Sequence, residues 1–123
     1  MDAGQELHKR NPWHFHYCDE EVVIVLSGQP SLRTPDGVRD LKEGEAVRFG
    51  LGEEGAHQIL NPTDRPVRFL ALANNSPADI VVYPDSDKIS VVERRPEGGG
   101  VRFTFRREEA VDFWDGESGS EAS

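Results

Sequence analysis

The feature that most constrains this chain is its hydropathy rhythm. Apolar residues recur in short runs with two-residue alternation, and a 3.6-residue helical period is nearly absent. Strands are expected at roughly 12–16, 21–27, 30–34, 38–41, 46–50, 57–60, 67–73, 79–83, 89–93 and 101–107. Turn residues punctuate them. Pro35-Asp36-Gly37 makes a tight hairpin turn, Lys42 to Glu45 another, and Asn61 to Pro66 a longer one. Only Glu108 to Trp114 reads as a short helical turn. Many short strands at this spacing leave a β-sandwich or a barrel as the fold class.

Two runs indicate which way they face. Val101 to Arg107 places Val101, Phe103 and Phe105 on one face and Arg102, Thr104 and Arg106 on the other, the pattern of a half-buried strand. The run Val22-Val23-Ile24-Val25-Leu26 is apolar on both faces. If Val23 and Val25 point inward, then Val22, Ile24 and Leu26 point outward and need a cover, so a homodimer through the outer face of 22–26 is expected.

The chain has only four histidines, His8, His14, His16 and His57. His14 and His16 are two apart, so on a strand they share a face. Tyr17 to Glu20 is polar enough for a turn; a hairpin there would set Glu21 opposite His16 and Val23 opposite His14. Two imidazoles and a carboxylate would then converge on one inward spot, with His57 joining from another strand. Such a set suits one divalent first-row transition metal: Fe, Mn, Ni, Zn, Co or Cu. Glu20 reads as a solvated rim residue, Cys18 as a turn cysteine, and Trp13, Phe15, Phe49, Phe69 and Phe103 as core or pocket wall. No further inward titratable residue is evident.

The spacing His14-x-His16, four residues, Glu21, six residues, Gly28 resembles the first motif of the cupins, HxH(x)3–4E(x)6G. Gly44, Gly52 and His57 to Asn61 resemble the second motif, G(x)5PxGxxHxxxN. Here Gly50 stands in place of the motif's proline, and four residues separate Gly52 from His57 where two are usual. The segments LSGQPSLRTPDG, HQILNPTDRPVRFLALANNSP and YPDSDKISV resemble a group of small single-domain bacterial cupins without an assigned reaction. The resemblance implies an all-β double-stranded β-helix (a jelly-roll barrel), here with shortened N-terminal strands. It also implies metal ligation by His14, His16, Glu21 and His57.

Organisation follows: an N-terminal tail at 1–11, the barrel at 12–107, and an acidic tail at 108–123 whose end, from Gly116, is expected to be disordered. Of the formal charge of −9, six negative charges sit at Glu108, Glu109, Asp112, Asp115, Glu117 and Glu121, with no Lys or Arg among them. No basic stripe fits nucleic acid. No apolar run is long enough to span a bilayer, and a single cysteine forms no intrachain disulfide. A cytoplasmic protein with a small-molecule ligand is expected. The leading functional reading is metal-dependent chemistry on a small oxygenated metabolite, of dioxygenase, decarboxylase or isomerase type. A non-catalytic ligand-binding module and a metal-free isomerase or epimerase using His acid–base catalysis are the alternatives.

Overall fold

A computed structural model describes residues 11–119. His8 and all but the last residue of the expected N-terminal tail lie outside the described residues, as do 120–123 at the acidic end. The described chain has ten strands: β1 Phe15–His16, β2 Glu21–Ser27, β3 Ser31–Thr34, β4 Gly37–Asp40, β5 Ala46–Phe49, β6 Gln58–Leu60, β7 Arg68–Ala73, β8 Ala78–Tyr83, β9 Lys88–Arg94 and β10 Gly100–Arg106. Short 3-10 turns occupy Glu53–Gly55 and Arg107–Glu109. The second of these falls at the start of the expected helical segment, and Gly116 to Gly119 lies in exposed turns and irregular chain.

The strands form three antiparallel sheets with the orders β1-β8-β9-β10, β5-β2-β7 and β4-β3-β6. A two-bond bridge between His14 and His57 (3.2 and 3.0 Å) joins the edge of β1 to the chain just before β6. Two of the sheets thereby run on as one curved layer. The core lies between that layer and β5-β2-β7, where Val23, Val25, Leu32, Leu41, Phe49 and Ile59 are buried together, with Val47 and Phe69 against them. Each such side chain contributes about 1.5–3 kcal/mol by leaving water. The inward positions of β2 are Val23 and Val25, as the alternation predicts, while Leu26 is 54% exposed. The architecture is the nearly all-β jelly roll expected from the sequence.

Gly28 closes the turn after β2. Its φ is +95°, and a Cβ there would lie 2.7 Å from the carbonyl oxygen of Pro66. No other residue fits this position without displacing backbone.

Two expectations fail. The alternation in β10 predicts a buried face, yet Val101, Phe103 and Phe105 are all exposed, Phe103 at 63%. β10 is an edge strand paired only with β9, and its Phe103 lies in a row with Val91 and Ile80, which are exposed too. Nothing among the described residues covers that row. The second failure is the hairpin between β1 and β2. β1 pairs with β8 (Phe15 with Val82, His16 with Val81), whereas Glu21 at the start of β2 sits between Phe49 of β5 and Ala73 of β7. Residues 17–20 do not turn back. Their backbone is taken up by Ile80 and Asp79, through Tyr17 N–H to the Ile80 carbonyl and Cys18 N–H to the Asp79 carboxylate. The connection therefore crosses from one layer to the other.

Candidate functional site

The four residues singled out in the sequence still meet, by a route longer than a hairpin. His16 on β1 and His14, the bridge residue just before that strand, project on one face. His57 is Cα partner to His14 in the bridge that joins the two sheets. Glu21 enters from the opposite layer at the first position of β2. Its Oε1 lies 3.6 Å from His14 Nε2, 3.2 Å from His16 Nε2 and 3.1 Å from His57 Nε2.

His57 is set by the 3-10 turn before it. Gly55 packs so closely on Gly50 that a Cβ would lie 1.9 Å from the Gly50 carbonyl oxygen. Only glycine lets the turn close and deliver His57, which is 3% exposed, to the interior. Phe49 then stacks flat on the His57 ring, with centroids 3.6 Å apart and an interplanar angle of 7°. Phe49 was among the aromatic wall candidates, and it is a wall of this site. Phe15 belongs instead to a second small core with Ala56 and Val82.

The ring orientations follow from what each Nδ1 touches. His14 Nδ1 is 2.7 Å from the Pro12 carbonyl oxygen and His57 Nδ1 is 2.9 Å from that of Gly55. A carbonyl oxygen only accepts, so both Nδ1 atoms carry their proton and donate it. His16 Nδ1 is 2.6 Å from Oδ2 of Asp79, whose Oδ1 accepts the N–H groups of Cys18 and Ile80. Buried at 1% exposure and holding two N–H donors, Asp79 is a carboxylate that accepts a third bond from His16.

With all three Nδ1 protons committed, the three Nε2 atoms present lone pairs to a carboxylate that likewise has only lone pairs. His16 Nε2 and Glu21 Oε1 are indeed buried without any hydrogen-bond partner. These four groups have only lone pairs to offer one another, so the arrangement is completed by a cation, either a proton taken up at Nε2 or a metal ion. Where no metal ion is bound, the imidazoles can take the proton. Burial acts to raise the Glu21 pKa, but hydrogen bonds from His14, His16 and His57 outweigh it and hold the carboxyl far below its usual range. Burial acts to lower the His16 pKa, and the Glu21 and Asp79 carboxylates outweigh that and raise it. These four residues could hold one divalent metal ion.

Asp79 is the site residue that sequence reading missed. The expectation of no further inward titratable group is overturned by its place against His16. A weak signal existed, because Asp79 shares the parity of Val81 and Tyr83 on a strand with a buried face.

The ligand atoms of His14, Glu21 and His57 lie within 4.8 Å of one another, whereas His16, which joins them through Glu21, also groups with Asp19 and Asp79 in a second cluster alongside. Its carboxylates are already committed. Asp19 binds Arg94 at 2.9 Å and the Ser76 N–H at 2.8 Å, so it ties the 17–20 connection to β9. Cys18 is exposed, and Glu20 pairs with Arg48 at the surface. The segment Tyr83 to Asp87 is a turn whose Asp85 and Asp87 pair with Arg33 and Arg107.

No helix among the described residues is long and apolar enough to cross a membrane. The sequence matches the family described as Cupin domain over residues 5–73. No curated protein matches it. Among solved structures, one similar chain is a sugar phosphate isomerase from a cupin superfamily of Silicibacter pomeroyi, with 25% identity and a TM-score of 0.67. The similarity covers 86% of this chain and 64% of that one. Another is a provisionally named sugar phosphate isomerase of Acidithiobacillus ferrooxidans, with 25% identity and a TM-score of 0.67, covering 81% and 60%. The chain therefore spans less than two thirds of the length of these neighbours. Family match, jelly-roll topology and neighbours agree: the chain belongs to the cupin family.

Proposed function

We propose that this protein is a metal-dependent isomerase of a small oxygenated metabolite in the sugar-phosphate class, with His14, His16, Glu21 and His57 holding a divalent first-row ion. The observation that carries the reading is the set of three Nε2 lone pairs and one carboxylate, two of whose atoms are buried and unpartnered. The names of the two structural neighbours favour isomerisation over the other reactions of small oxygenated substrates.

A bound divalent ion would supply Lewis acidity, polarising a carbonyl or hydroxyl of the substrate. This chain's own residues prepare the place. The Pro12 and Gly55 carbonyls and the Asp79 carboxylate fix the tautomers of the three imidazoles. Glu21 stays ionised, and Phe49 shields one face of His57 from water. The side chains of His14, His16 and Glu21 remain 13%, 14% and 20% exposed, so the cluster opens to solvent on one side, where a small molecule can reach it.

A second reading has an observation of its own. The 2.6 Å contact between His16 and Asp79 is a His–carboxylate pair, as a metal-free isomerase using His acid–base catalysis would need. A non-catalytic binding module would use the same cluster without turnover. The test is metal content by elemental mass spectrometry on untagged wild type, His14→Ala and His57→Ala, with proton exchange at the carbon next to the carbonyl followed by NMR on a sugar-phosphate panel. About one ion per chain in the wild type, lost with activity in both variants, is the expected result. Activity lost without any change in metal content would favour the metal-free catalyst. An ion bound with no exchange on any substrate would favour the binding module.

A further inference from the structure

The sheet face that carries His14 and His16 does not end at the cluster. Along β1, β8, β9 and β10 the register is continuous. His16 pairs with Val81, Val81 with Ser90, and Ser90 with Thr104. One step along β8, Tyr83 pairs with Lys88 and Lys88 with Arg106. Residues in register share a face, so Tyr83, Lys88 and Arg106 extend the row that begins at His14, whose ring is 6.1 Å from that of Tyr83.

This strip has the chemistry of an anion seat. Its floor is a line of hydroxyls: Ser90 Oγ lies 2.7 Å from Thr104 Oγ1 and donates to the Tyr83 hydroxyl at 3.4 Å. Above it stands the Lys88 ammonium, 5.5 Å from the centre of the Tyr83 ring. Arg106 is exposed on the neighbouring strand. The other arginines with described ion pairs (Arg33, Arg39, Arg48, Arg94, Arg95 and Arg107) each face a carboxylate. Lys88 and Arg106 have no ion pair among the described residues, as is also true of Lys42, Arg65, Arg68 and Arg102, but of these six only Lys88 and Arg106 are in register with Tyr83. The Glu109 carboxylate accepts the Arg106 backbone N–H at 3.4 Å and is not ion-paired with its guanidinium. Arg102, two residues before Thr104, shares this face but lies farther along β10. On a chain of net charge −9, Lys88 and Arg106, next to Tyr83 in the row of the candidate metal ligands, mark a place for a negative group.

We propose that Tyr83, Lys88 and Arg106 form a phosphate subsite, holding the terminal phosphate of a sugar whose reacting end lies at the His14, His16, Glu21 and His57 cluster. The inference rests on the isomerase reading and deepens it. Lys88 is two strand spacings from the His14 row, or ~10 Å. That separation suits a short sugar chain with a phosphate at its far end. The cations lie to one side of the cluster, so they would also fix which end of the substrate enters.

The test uses the full chain loaded with zinc, titrated calorimetrically with ribose 5-phosphate, glucose 6-phosphate, ribose and glucose, for wild type, Lys88→Met and Arg106→Gln. Both positions lie toward the surface, so the variants keep the fold; matching circular dichroism spectra establish this. The expected result is that a sugar phosphate binds at least tenfold more tightly than its free sugar. Each variant should weaken the phosphorylated ligand by about tenfold and leave the free sugar unchanged. A phosphate preference that survives both substitutions would overturn the subsite and leave the isomerase reading intact. Equal binding of sugar and sugar phosphate, with proton exchange detected by NMR, would do the same. Absence of both binding and exchange for all four compounds would sink the isomerase reading and the subsite with it.

Discussion

Replacing Asp79 by Asn changes two atoms' chemistry at nearly constant volume. Oδ1 continues to accept the N–H groups of Cys18 and Ile80, both at 2.9 Å. The amide nitrogen then takes the place of Oδ2, facing His16 Nδ1 at 2.6 Å, and two donors cannot share that contact. The imidazole resolves the conflict by moving its proton to Nε2, where Glu21 Oε1 accepts it at 3.2 Å. One of the three convergent lone pairs disappears. Loss of a ligand-orienting partner costs about 10–100-fold in metal affinity, which is ~1.4–2.8 kcal/mol. Because the variant regains a hydrogen bond to Glu21, the metal-free fold should change by no more than about 1.5 kcal/mol. Zinc affinity would be read by competition with a chromophoric chelator, and the His16 tautomer by nitrogen-15 NMR of the ring. A variant that binds zinc within threefold of wild type, or one that keeps its Nδ1 proton, would refute the reasoning.

Three further outcomes are expected. Burial opposes ionisation of Asp19, but the Ser76 N–H and Arg94 outweigh it and lower the pKa, so its contribution is complete above the ordinary value of 3.8 and is lost as pH falls below it. Asp19→Asn should therefore be less stable than wild type by about 2 kcal/mol at pH 7, read by denaturant unfolding, and the gap should narrow toward pH 3; a gap independent of pH would contradict this assignment. Gly55→Ala forces a Cβ against the Gly50 carbonyl and should destabilise by about 1–3 kcal/mol, with His57 displaced; a denaturant midpoint equal to wild type would show that the close approach is not required. We also propose that the outer face of β2 and β7, where Leu26, Leu70 and Leu72 are exposed beside Val22 and Ile24, is covered by a second copy of the chain. Ile24→Lys should then halve the mass seen by light scattering, and an unchanged mass would count against the dimer.

The strands were readable from alternation and turn residues, because those signals are local. The ligand set was readable as well, since the spacing of His14, His16 and Glu21 resembles a known motif. What sequence could not supply was pairing. A short polar segment such as 17–20 reads equally as a hairpin turn or as a crossing between layers, and here Ile80 and Asp79 capture its N–H groups. Asp79 lies 63 residues from His16, and nothing local links them. The alternation of β10 failed for a different reason. Period two reports that a strand has an apolar face, but burial of that face needs another layer, and the row Ile80, Val91 and Phe103 has none among the described residues.

The stretch carrying two of the four convergent residues is short, a two-residue strand preceded by the single bridge residue His14. β1 is held to the barrel by its ladder with β8 and by the bridge from His14 to His57. An ion shared by His14, His16, Glu21 and His57 would thus act as a rivet, joining this short N-terminal segment to both layers at once. Segments with so few backbone contacts open more often than the molecule unfolds as a whole. The departure rate of the ion would then follow the lifting of β1, and amide exchange at Phe15 and His16 would slow in proportion to ion occupancy.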